Sequence, residues 1–328
     1  MAFEAEVSPL GRSEDPIQWR RRRFIRQSLE QTGVYFMLIL TAMVLGLPFF
    51  WMISASLKTP QEISLYPPQL FPTQFVWENF SRAWSAAPFD LFYFNSLLTG
   101  AVSTALQVVF ALLMAYALVF VDFPFKRFLF LLVLATMMIP VEMKLVPNFI
   151  LLKELGDISR AADPAVQPLL SALGLKIAAA QLCCGINSYF ALIVPPAAHA
   201  FPVFVLHQQF RTLPRDLIDA ARVDGASHLQ ILWQVVTPMS RPVLAATILI
   251  AFVGRWNDYL WPLVITQSEA MRTLPVGLAF LRAASEEGST PWNLLMAASI
   301  FVILPILVLF LFTQKQFVEG LTAGAIKG

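Results

Sequence analysis

Two side chains of opposite charge, Arg255 and Asp258, lie inside a long apolar stretch of the sequence. They are three residues apart, so on a helix they share one face and can form an ion pair. Charged groups are costly inside a membrane span and often line the path of a polar solute or form a gate. The alternative is an ion pair with a structural role only, in which the two side chains neutralise each other's charge. Together with Trp256 and Asn257, these residues form the predicted path segment.

Four aromatic residues near this pair in the sequence could take part in recognition: Trp256, Tyr259, Trp261 and Trp292. Aromatic rings can stack on the apolar face of a sugar. An aromatic belt at the membrane interface explains the same residues equally well. Both interpretations stay open on the sequence alone.

A second charged pair, Glu142 and Lys144, lies near the end of another apolar stretch. The two residues are two positions apart and therefore face different directions on a helix. We expect them to anchor the end of a span at the membrane interface.

No pattern typical of an enzyme occurs in the sequence. It has no glycine-rich phosphate loop with its lysine, and His199, His207 and His228 lack metal-ligand spacing. It has no Gly-x-Ser-x-Gly nucleophile motif. The adjacent Cys183 and Cys184 are interpreted as small apolar fillers. We therefore predict a chain without catalytic activity, metal or cofactor, which would draw any ATP-derived energy from another subunit.

A polar segment, residues 211–242, separates two strongly apolar regions. Pro214 suits a first helical position, and Gly225 suits the residue just past a helix end. Ser227 with Gln230 is typical of a capping box that begins a second helix. The sequence therefore predicts two short helices joined by a glycine turn.

The second of these helices has a predicted apolar face. Its residues fall at helical spacing, and they are Leu229, Leu232, Trp233 and Val236. Leu229, Leu232 and Trp233 are expected to hold the helix against the protein's own spans. Pro238 and Pro242 are expected to end the unit.

The composition indicates a membrane protein. The 328 residues are 57% hydrophobic and 13% charged, whereas about one quarter of the residues of soluble domains are charged. The apolar residues occur in blocks long enough to cross a bilayer as helices. We predict an all-α polytopic protein with a membrane domain over 31–315. Its six transmembrane helices are expected near 32–54, 96–121, 128–146, 189–209, 243–265 and 292–312.

The stretch between the third and fourth spans forms a separate unit. Residues 157–168 are predicted to be a polar loop. Residues 168–185 are predicted to be a surface or re-entrant helix, because they are too few for a comfortable span. Together they make an external insertion at about 157–187.

The distribution of charge predicts the orientation. Six spans place both chain ends on one side, and that side carries about twice as many Lys and Arg residues as the other. By the positive-inside rule, the basic N-terminal segment (1–30), the 211–242 segment and the tail (316–328) are cytoplasmic. The arginine run at 20–26 is interpreted as part of this bias, and not as a nucleic-acid site.

The 211–242 segment resembles the signature loop in the permease subunits of binding-protein-dependent ABC importers. The family pattern is Glu-Ala-Ala, three residues, Gly, nine residues and Ile-x-Leu-Pro, and this chain keeps its spacing. The matching residues are Asp219, Ala220, Ala221, Gly225 and Pro238. The chain departs from the pattern with Asp219 in place of Glu, Val235 in place of Ile and Thr237 in place of Leu.

Further stretches resemble the carbohydrate-uptake branch, and specifically the smaller permease of maltose-type transporters. They are SLKTPQEI at 56–63, NSL at 95–97, AYAL at 115–118, MMIP at 137–140, DGAS at 224–227, WNDYLWPL at 256–263 and GLTAGAIKG at 320–328. The insertion before residue 186 departs from the family, which usually has a short link there.

The resemblance implies a type I importer architecture in the bacterial inner membrane. Its implied partners are a second permease, two ATPase subunits that hold ATP and Mg, an external solute-binding protein and membrane lipid, with no nucleic acid. It also implies a set of residues that couple the chain to an ATPase subunit. This set is Asp219, Ala220, Ala221, Arg222, Asp224, Gly225 and Pro238.

The function expected from this resemblance is uptake of a carbohydrate or related polyol. An importer for glycerol phosphate or another small polar solute is the alternative within the family. An ion-driven secondary transporter is the alternative of another class, although such proteins favour acidic ion sites at mid-membrane.

Overall fold

The computed structural model describes the backbone of residues 16–172, 185–283 and 291–322, with side chains for 30–157, 185–283 and 291–314. The regular structure in these ranges is helical and includes no β-strand, so the all-α prediction is confirmed. The helices are α1 (Pro16–Ser56), α2 (Pro60–Ile63), α3 (Glu78–Ser85), α4 (Phe89–Phe120), α5 (Lys126–Met137), α6 (Val141–Ala172), α7 (Tyr189–Ala197), α8 (Ala200–Arg211), α9 (Arg215–Val223), α10 (His228–Met239), α11 (Arg241–Trp256), α12 (Leu260–Ile265), α13 (Leu274–Ala283) and α14 (Trp292–Thr322).

Four helical segments of the described chain are long and apolar enough to cross a bilayer. They are Glu30–Ser56, Phe89–Phe120, Tyr189–Arg211 and Trp292–Gln314. Two bent helix pairs, α5 with α6 and α10 with α11, have similar apolar character. By length and composition the described chain therefore has four to six spans, and the predicted six requires one span in each bent pair.

The third predicted span, 128–146, is not one continuous helix. α5 ends at Met137, α6 begins at Val141, and the two helices meet at an angle of 99°. Pro140 lies in the break. It has no N–H to donate to the preceding turn, and it disfavours the α conformation of Ile139. The predicted span therefore consists of parts of two helices.

The fifth predicted span, 243–265, is also interrupted. α11 ends at Trp256 and α12 begins at Leu260. Pro262 cannot donate the amide hydrogen bond that a continuous helix requires. The carboxylate of Asp258 instead accepts a hydrogen bond from the N–H of Trp261 at 3.4 Å. The charged pair therefore lies where a helix ends, and not within one.

The insertion differs from the prediction in its first part. The backbone is helical from Val141 to Ala172, so the polar loop expected at 157–168 is a continuation of α6. Alanine-rich sequence such as Ala161-Ala162 favours this helical continuation. Most of the helix expected at 168–185 lies outside the described residues.

The helix α4 is at the centre of the packing. It contacts α7, α8 and α11 along its length, and α13 near its first residues. Gly100 lies against α11, where a Cβ would make a van der Waals contact 3.4 Å from the ring of Phe252. Small residues are typical of such contacts between membrane helices.

The spanning part of α1 is left uncovered. None of the residues in its most apolar window is buried, and α1 contacts α14. Its side chains from Val34 to Leu40 are more than two-fifths exposed. In a membrane protein such a surface faces lipid or another membrane chain.

Candidate functional site

The turn between α9 and α10 has the geometry that the sequence predicted. Gly225 adopts a φ of 79°, in the left-handed region where glycine is favoured. Its N–H donates to the carbonyl of Arg222, and the N–H of Ala226 donates to that of Ala221, both at 3.0 Å. This pair of bonds is a Schellman motif, which satisfies the last carbonyls of α9. Pro214 is the N-cap of α9, so the helix begins at Arg215, one position later than predicted.

The capping box at the start of α10 is confirmed. The N–H of Gln230 donates to the hydroxyl of Ser227 at 3.4 Å, and the N–H of Ser227 donates to the side-chain oxygen of Gln230 at 2.7 Å. Two otherwise unpaired N–H groups at the helix start are thereby satisfied. The glycine turn and the capping box together fix how the two short helices join.

Pro238 has a different position from the one expected. Residues Leu232–Val236 form a π-turn within α10, closed by the N–H of Thr237, which donates to the carbonyl of Leu232. Because Pro238 lacks an N–H, this wider turn accommodates it where a regular helix would lose a bond. α10 continues to Met239, and the 88° bend to α11 follows at Ser240. Pro238 therefore does not end the unit.

One face of the α9–α10 unit is anchored to the spans. Ile218, Ile231, Leu232 and Val236 are each at most 1% exposed. They belong to a buried cluster with residues of α4 and α8, including Phe210. Full burial of each such side chain contributes about 1.5–3 kcal/mol, so the unit is held firmly to these two spans.

The opposite face of the α9–α10 unit is left uncovered by the residues that the structure describes. Four large apolar side chains lie there: Leu217, Val223, Leu229 and Trp233, with Val223 88% exposed. The prediction that Leu229 and Trp233 pack against the spans is wrong, whereas that for Leu232 is confirmed. α10 is apolar around much of its circumference, and tertiary contacts select Ile231, Leu232 and Val236 for burial.

The residues of the signature pattern lie at the edge of this uncovered face. Asp219, Ala220, Asp224 and Gly225 are exposed, and Ala221 is half-buried. Arg222 connects the pattern to α4: its guanidinium donates to the carbonyl of Phe120 at 2.8 Å and pairs with Asp219 at 3.2 Å. A cation at these carbonyls is favourable because the carboxyl end of a helix carries partial negative charge.

Two further contacts of α4 were not predicted. The ammonium group of Lys126 donates to the carbonyls of Val119 and Val121. The hydroxyl of Tyr116 and Nδ1 of His228 are 3.0 Å apart. Tyr116 and His228 are more than a hundred residues apart in the chain, so no local pattern could indicate their contact.

The residues of the predicted path segment differ in their exposure. The Arg255 guanidinium pairs with Asp258 at 3.1 Å, and both side chains are about one-fifth exposed. Asn257 is exposed and donates to the carbonyl of Val253. Trp256, in contrast, is 2% exposed, and its indole N–H donates to the carbonyl of Val302. Trp256 is a core residue in this conformation and presents no face to a solute.

The other three aromatic residues also differ in how far they are buried. Trp261 is 6% exposed and donates its indole N–H to the carbonyl of Ala191 at 2.9 Å. Tyr259 and Trp292 are more than one-third exposed. Among these four aromatic residues, Tyr259 and Trp292 therefore keep accessible rings for a sugar or for the membrane interface.

A cavity of about 980 Å³ lies among α4, α5, α6 and α8. Its lining is mostly apolar and includes both Lys144 and His199. Glu142, by contrast, is exposed and does not line it. The expected role of Lys144 as an interfacial anchor does not account for this position between helices.

Residues 107–322 match the family model described as the binding-protein-dependent transport system inner membrane component. The chain belongs to this family. It is a non-catalytic, membrane-spanning permease subunit of a binding-protein-dependent importer, which excludes the ion-driven secondary transporter. The match includes the α9–α10 unit, the cavity and the predicted path segment.

Curated relatives resemble the permease over most of its length. It is 31% identical over 291 residues to the sn-glycerol-3-phosphate transport system permease protein UgpE of Yersinia enterocolitica, covering 87% of this chain and 93% of the relative. It is 32% identical over 284 residues to the arabinooligosaccharides transport system permease protein AraQ of Bacillus subtilis, covering 86% and 90%. It is 32% identical over 283 residues to the sulfoquinovosyl glycerol transport system permease protein SmoH of Agrobacterium fabrum, covering 86% and 88%.

A solved structure supports the fold of the permease. A chain from a bacterial ABC transporter involved in the import of the acidic polysaccharide alginate superposes with a TM-score of 0.70. The sequence identity is 21%, and the match covers 89% of this chain and 98% of the other. The predicted type I permease architecture is confirmed.

Proposed function

We propose that this permease forms a translocation path with a second permease subunit, and that two ATPase subunits on separate chains bind ATP and Mg and dock beneath the pair. An external solute-binding protein would deliver the solute, in keeping with the description of the family. The proposed solute is a carbohydrate or a related polyol.

The observation that carries this proposal is the contrast between the two faces of the α9–α10 unit. One face is fixed to α4 and α8 by side chains that are at most 1% exposed. The other leaves Val223 and Leu229 more than half exposed beside charged residues. An exposed apolar patch with a polar rim is typical of a surface that binds another protein.

The proposed occupant of this surface is an ATPase subunit. The docking residues are Asp219, Ala220, Ala221, Arg222, Asp224 and Gly225, while Pro238 shapes the π-turn behind them. A displacement of the docked surface would be passed to α4 and α8, since close-packed side chains transmit movement with little give. The structure thus supports a mechanical link from ATP hydrolysis to the spans.

The proposed path segment consists of Arg255, Asn257 and Asp258. These polar side chains interrupt an apolar region where α11 ends, and each remains partly or fully exposed. Paired charges in such a position are typical of a solute path or gate. Trp256 would support the segment by fixing the end of α11 against α14.

The proposed orientation follows the charge bias of the sequence. The 211–242 segment, the basic segment 1–30 and the tail 316–328 would be cytoplasmic. The insertion at about 157–187 would then be external. Labelling a single cysteine introduced at Ser159 from outside intact cells tests this arrangement, and protection of that cysteine would contradict it.

A second candidate for the solute is glycerol phosphate. It is favoured by the 31% identity to a permease protein of an sn-glycerol-3-phosphate transport system. A carbohydrate is favoured by the 32% identity to a permease protein of an arabinooligosaccharide transport system. Identifying the solute that co-purifies with the binding protein would decide between them.

The docking proposal is tested by changing Val223→Asp in the assembled transporter. A charged side chain in place of this exposed valine would weaken an apolar contact without disturbing the buried face. We expect ATP hydrolysis stimulated by the loaded binding protein to fall about tenfold or more, since interface centres often contribute 2 kcal/mol or more. The measurement is ATPase activity in proteoliposomes.

Two further variants complete this test. Val223→Ile keeps an apolar side chain and is expected to retain coupled hydrolysis. Gly225→Asp places a charged side chain at the positive φ of 79° and is expected to uncouple. Membrane insertion of each variant is checked first. Unchanged coupled hydrolysis in both Val223→Asp and Gly225→Asp would exclude the docking role.

A further inference from the structure

The cavity among α4, α5, α6 and α8 is formed where two of the spans are broken. One break, Met138–Pro140, separates α5 from α6, and the other, Ala198–His199, separates α7 from α8. Residues of both breaks line the cavity, together with Phe110 of α4. Its volume, about 980 Å³, is large enough for a small polar solute with its bound water.

Lys144 supplies a positive charge to this cavity. Its ammonium group donates to the carbonyl of Thr136 at 3.2 Å, which uses one of its three hydrogens. In the described part of the chain, no acidic side chain lies within ion-pair distance of it, and none lines the cavity. A lysine held in such surroundings attracts an anion.

His199 supplies a hydrogen-bond donor to the same cavity. Its Nδ1 accepts a hydrogen bond from the N–H of Phe201 at 3.4 Å, so it caps the start of α8. A ring whose Nδ1 accepts must carry its proton on Nε2. The ring is exposed to the cavity and can therefore donate from Nε2.

The surrounding charges make the site favourable for an anion. Lys144 and His199 both line the cavity. Among the described residues that line it, Lys144 is the one cationic side chain besides the imidazole of His199. Both α6 and α8 also begin at the cavity, and the start of a helix carries partial positive charge.

We propose that this cavity binds the oxyanion of a transported solute, with Lys144 as its counter-charge and Nε2–H of His199 as a hydrogen-bond donor. The ligand class is a small polyol or sugar that bears a phosphate, sulfonate or carboxylate group. This inference rests on the proposed role of the chain in forming a translocation path, and it narrows the solute to an anionic one.

The binding test uses the assembled complex of both permeases and both ATPases in nanodiscs of phosphatidylcholine, without nucleotide. The probes are glycerol 3-phosphate and its neutral counterpart glycerol, both followed by proton saturation-transfer NMR. We expect glycerol 3-phosphate to bind and glycerol to give little signal. In Lys144→Gln the affinity for glycerol 3-phosphate should fall about tenfold or more, because a charge-assisted bond is lost.

Three variants serve as controls. Lys153→Gln removes the same charge from an exposed position of α6 outside the cavity and should bind like the wild type. Lys144→Arg retains the charge and should bind within a few-fold of the wild type. His199→Gln should weaken binding less than Lys144→Gln, since a neutral donor is lost. Other anion-binding sites on the ATPase subunits are the same in all of these variants.

Several results would overturn the proposal. Equal binding of glycerol 3-phosphate by the wild type and Lys144→Gln would exclude the site, as would equal binding of glycerol and glycerol 3-phosphate. The phosphate group in the cavity could belong to the solute or to a lipid headgroup. Nanodiscs with added phosphatidylglycerol distinguish these two sources. Loss of glycerol 3-phosphate binding in them would assign the cavity to a lipid headgroup and overturn the solute assignment.

The result of the binding test is independent of the result of the coupled ATPase test. Coupled ATP hydrolysis in Val223→Asp tests the docking surface, which lies outside the cavity. If that variant uncouples while Lys144→Gln binds glycerol 3-phosphate normally, only the anion site is rejected. If coupling is unaffected while Lys144→Gln loses binding, the docking role alone is rejected.

Discussion

The two ends of α4 are held in different ways. At its last residues, Arg222 donates to the carbonyl of Phe120, and Lys126 donates to the carbonyls of Val119 and Val121. Both cationic side chains are partly exposed, at 42% and 26%. Contacts of this kind contribute about 1 kcal/mol or less and are weakened by salt.

Near the first residues of α4 the contacts are buried and neutral. Asn95 is 1% exposed. Its amide N–H groups donate to the carbonyls of Ala270 and Arg272, and its oxygen accepts from the hydroxyl of Tyr189 at 2.8 Å. The hydroxyl of Ser96 accepts from the N–H of Leu274. Loss of such contacts is costly because each partner would remain buried and unpaired.

The helix α4 therefore connects a region of buried polar contacts to the proposed docking surface. The end near Asn95 is fixed to the loop before α13 and to α7. The end near Phe120 joins the α9–α10 unit through exposed cations and one apolar cluster. The α9–α10 unit is therefore joined to α4 mainly by the apolar cluster, together with weaker polar contacts, whereas the other end is joined to its loops by buried hydrogen bonds.

The largest effect is expected for Asn95→Leu. This change leaves two carbonyls and one hydroxyl without their partner, and we expect a loss of about 3 kcal/mol or more in unfolding free energy. Thermal unfolding of the purified complex measures it. Asn257→Leu is the matched control, since the exposed Asn257 bonds within its own helix. Equal destabilisation by both would show that the buried bonds of Asn95 contribute no more than an exposed bond.

An intermediate effect is expected for Leu232→Ala at the other end. Leu232 is fully buried, so its truncation should cost about 2–5 kcal/mol in unfolding free energy. Leu229→Ala, three residues earlier and 60% exposed, should change stability by about 0.5 kcal/mol or less. Leu229→Ala should instead reduce coupled ATP hydrolysis. A stability loss of the same size in both variants would contradict the assignment of the two faces.

A pH-dependent effect, and the smallest of the three, is expected at Glu62 in the short helix α2. Its carboxylate accepts hydrogen bonds from the hydroxyl of Thr73 and from the N–H of Thr59 at 2.9 Å. These bonds, with that from Thr73 the largest cause, lower the pKa of Glu62 from 4.5 to about 2. The ionised carboxylate is therefore more stabilising in the folded state than in the unfolded chain.

The pH dependence follows from this lowered pKa. The stabilisation by Glu62 is complete above pH 4.5 and is lost as the pH falls towards 2. We expect Glu62→Gln to flatten the fall in thermal midpoint of the complex over this acidic range. Glu78→Gln, at an exposed surface pair, is the control. An unchanged slope in Glu62→Gln would show that its hydrogen bonds do not persist in solution.

Local patterns in the sequence determined the turns, the helix caps, the positions of the spans and the family of this protein. Gly225 and the Ser227–Gln230 capping box were predictable because each acts through bonds to neighbours within five residues. The positions of the spans were predictable because blocks of apolar residues must be buried in lipid or protein. The spacing of Asp219, Ala220, Ala221 and Gly225 is sufficient by itself to indicate the family, since it is a property of the chain and needs no tertiary contact.

Tertiary structure alone decided which apolar side chains of a helix are buried and which charged side chains enter a cavity. α10 offers more than one apolar face, and packing on α4 and α8 buried Ile231 while leaving Leu229 and Trp233 free. The sequence placed Lys144 at a span end, but the 99° bend at Pro140 puts it in a cavity with His199, more than fifty residues away. Helical periodicity describes one helix at a time, whereas burial and charge environment depend on neighbours that the chain brings together only when it folds.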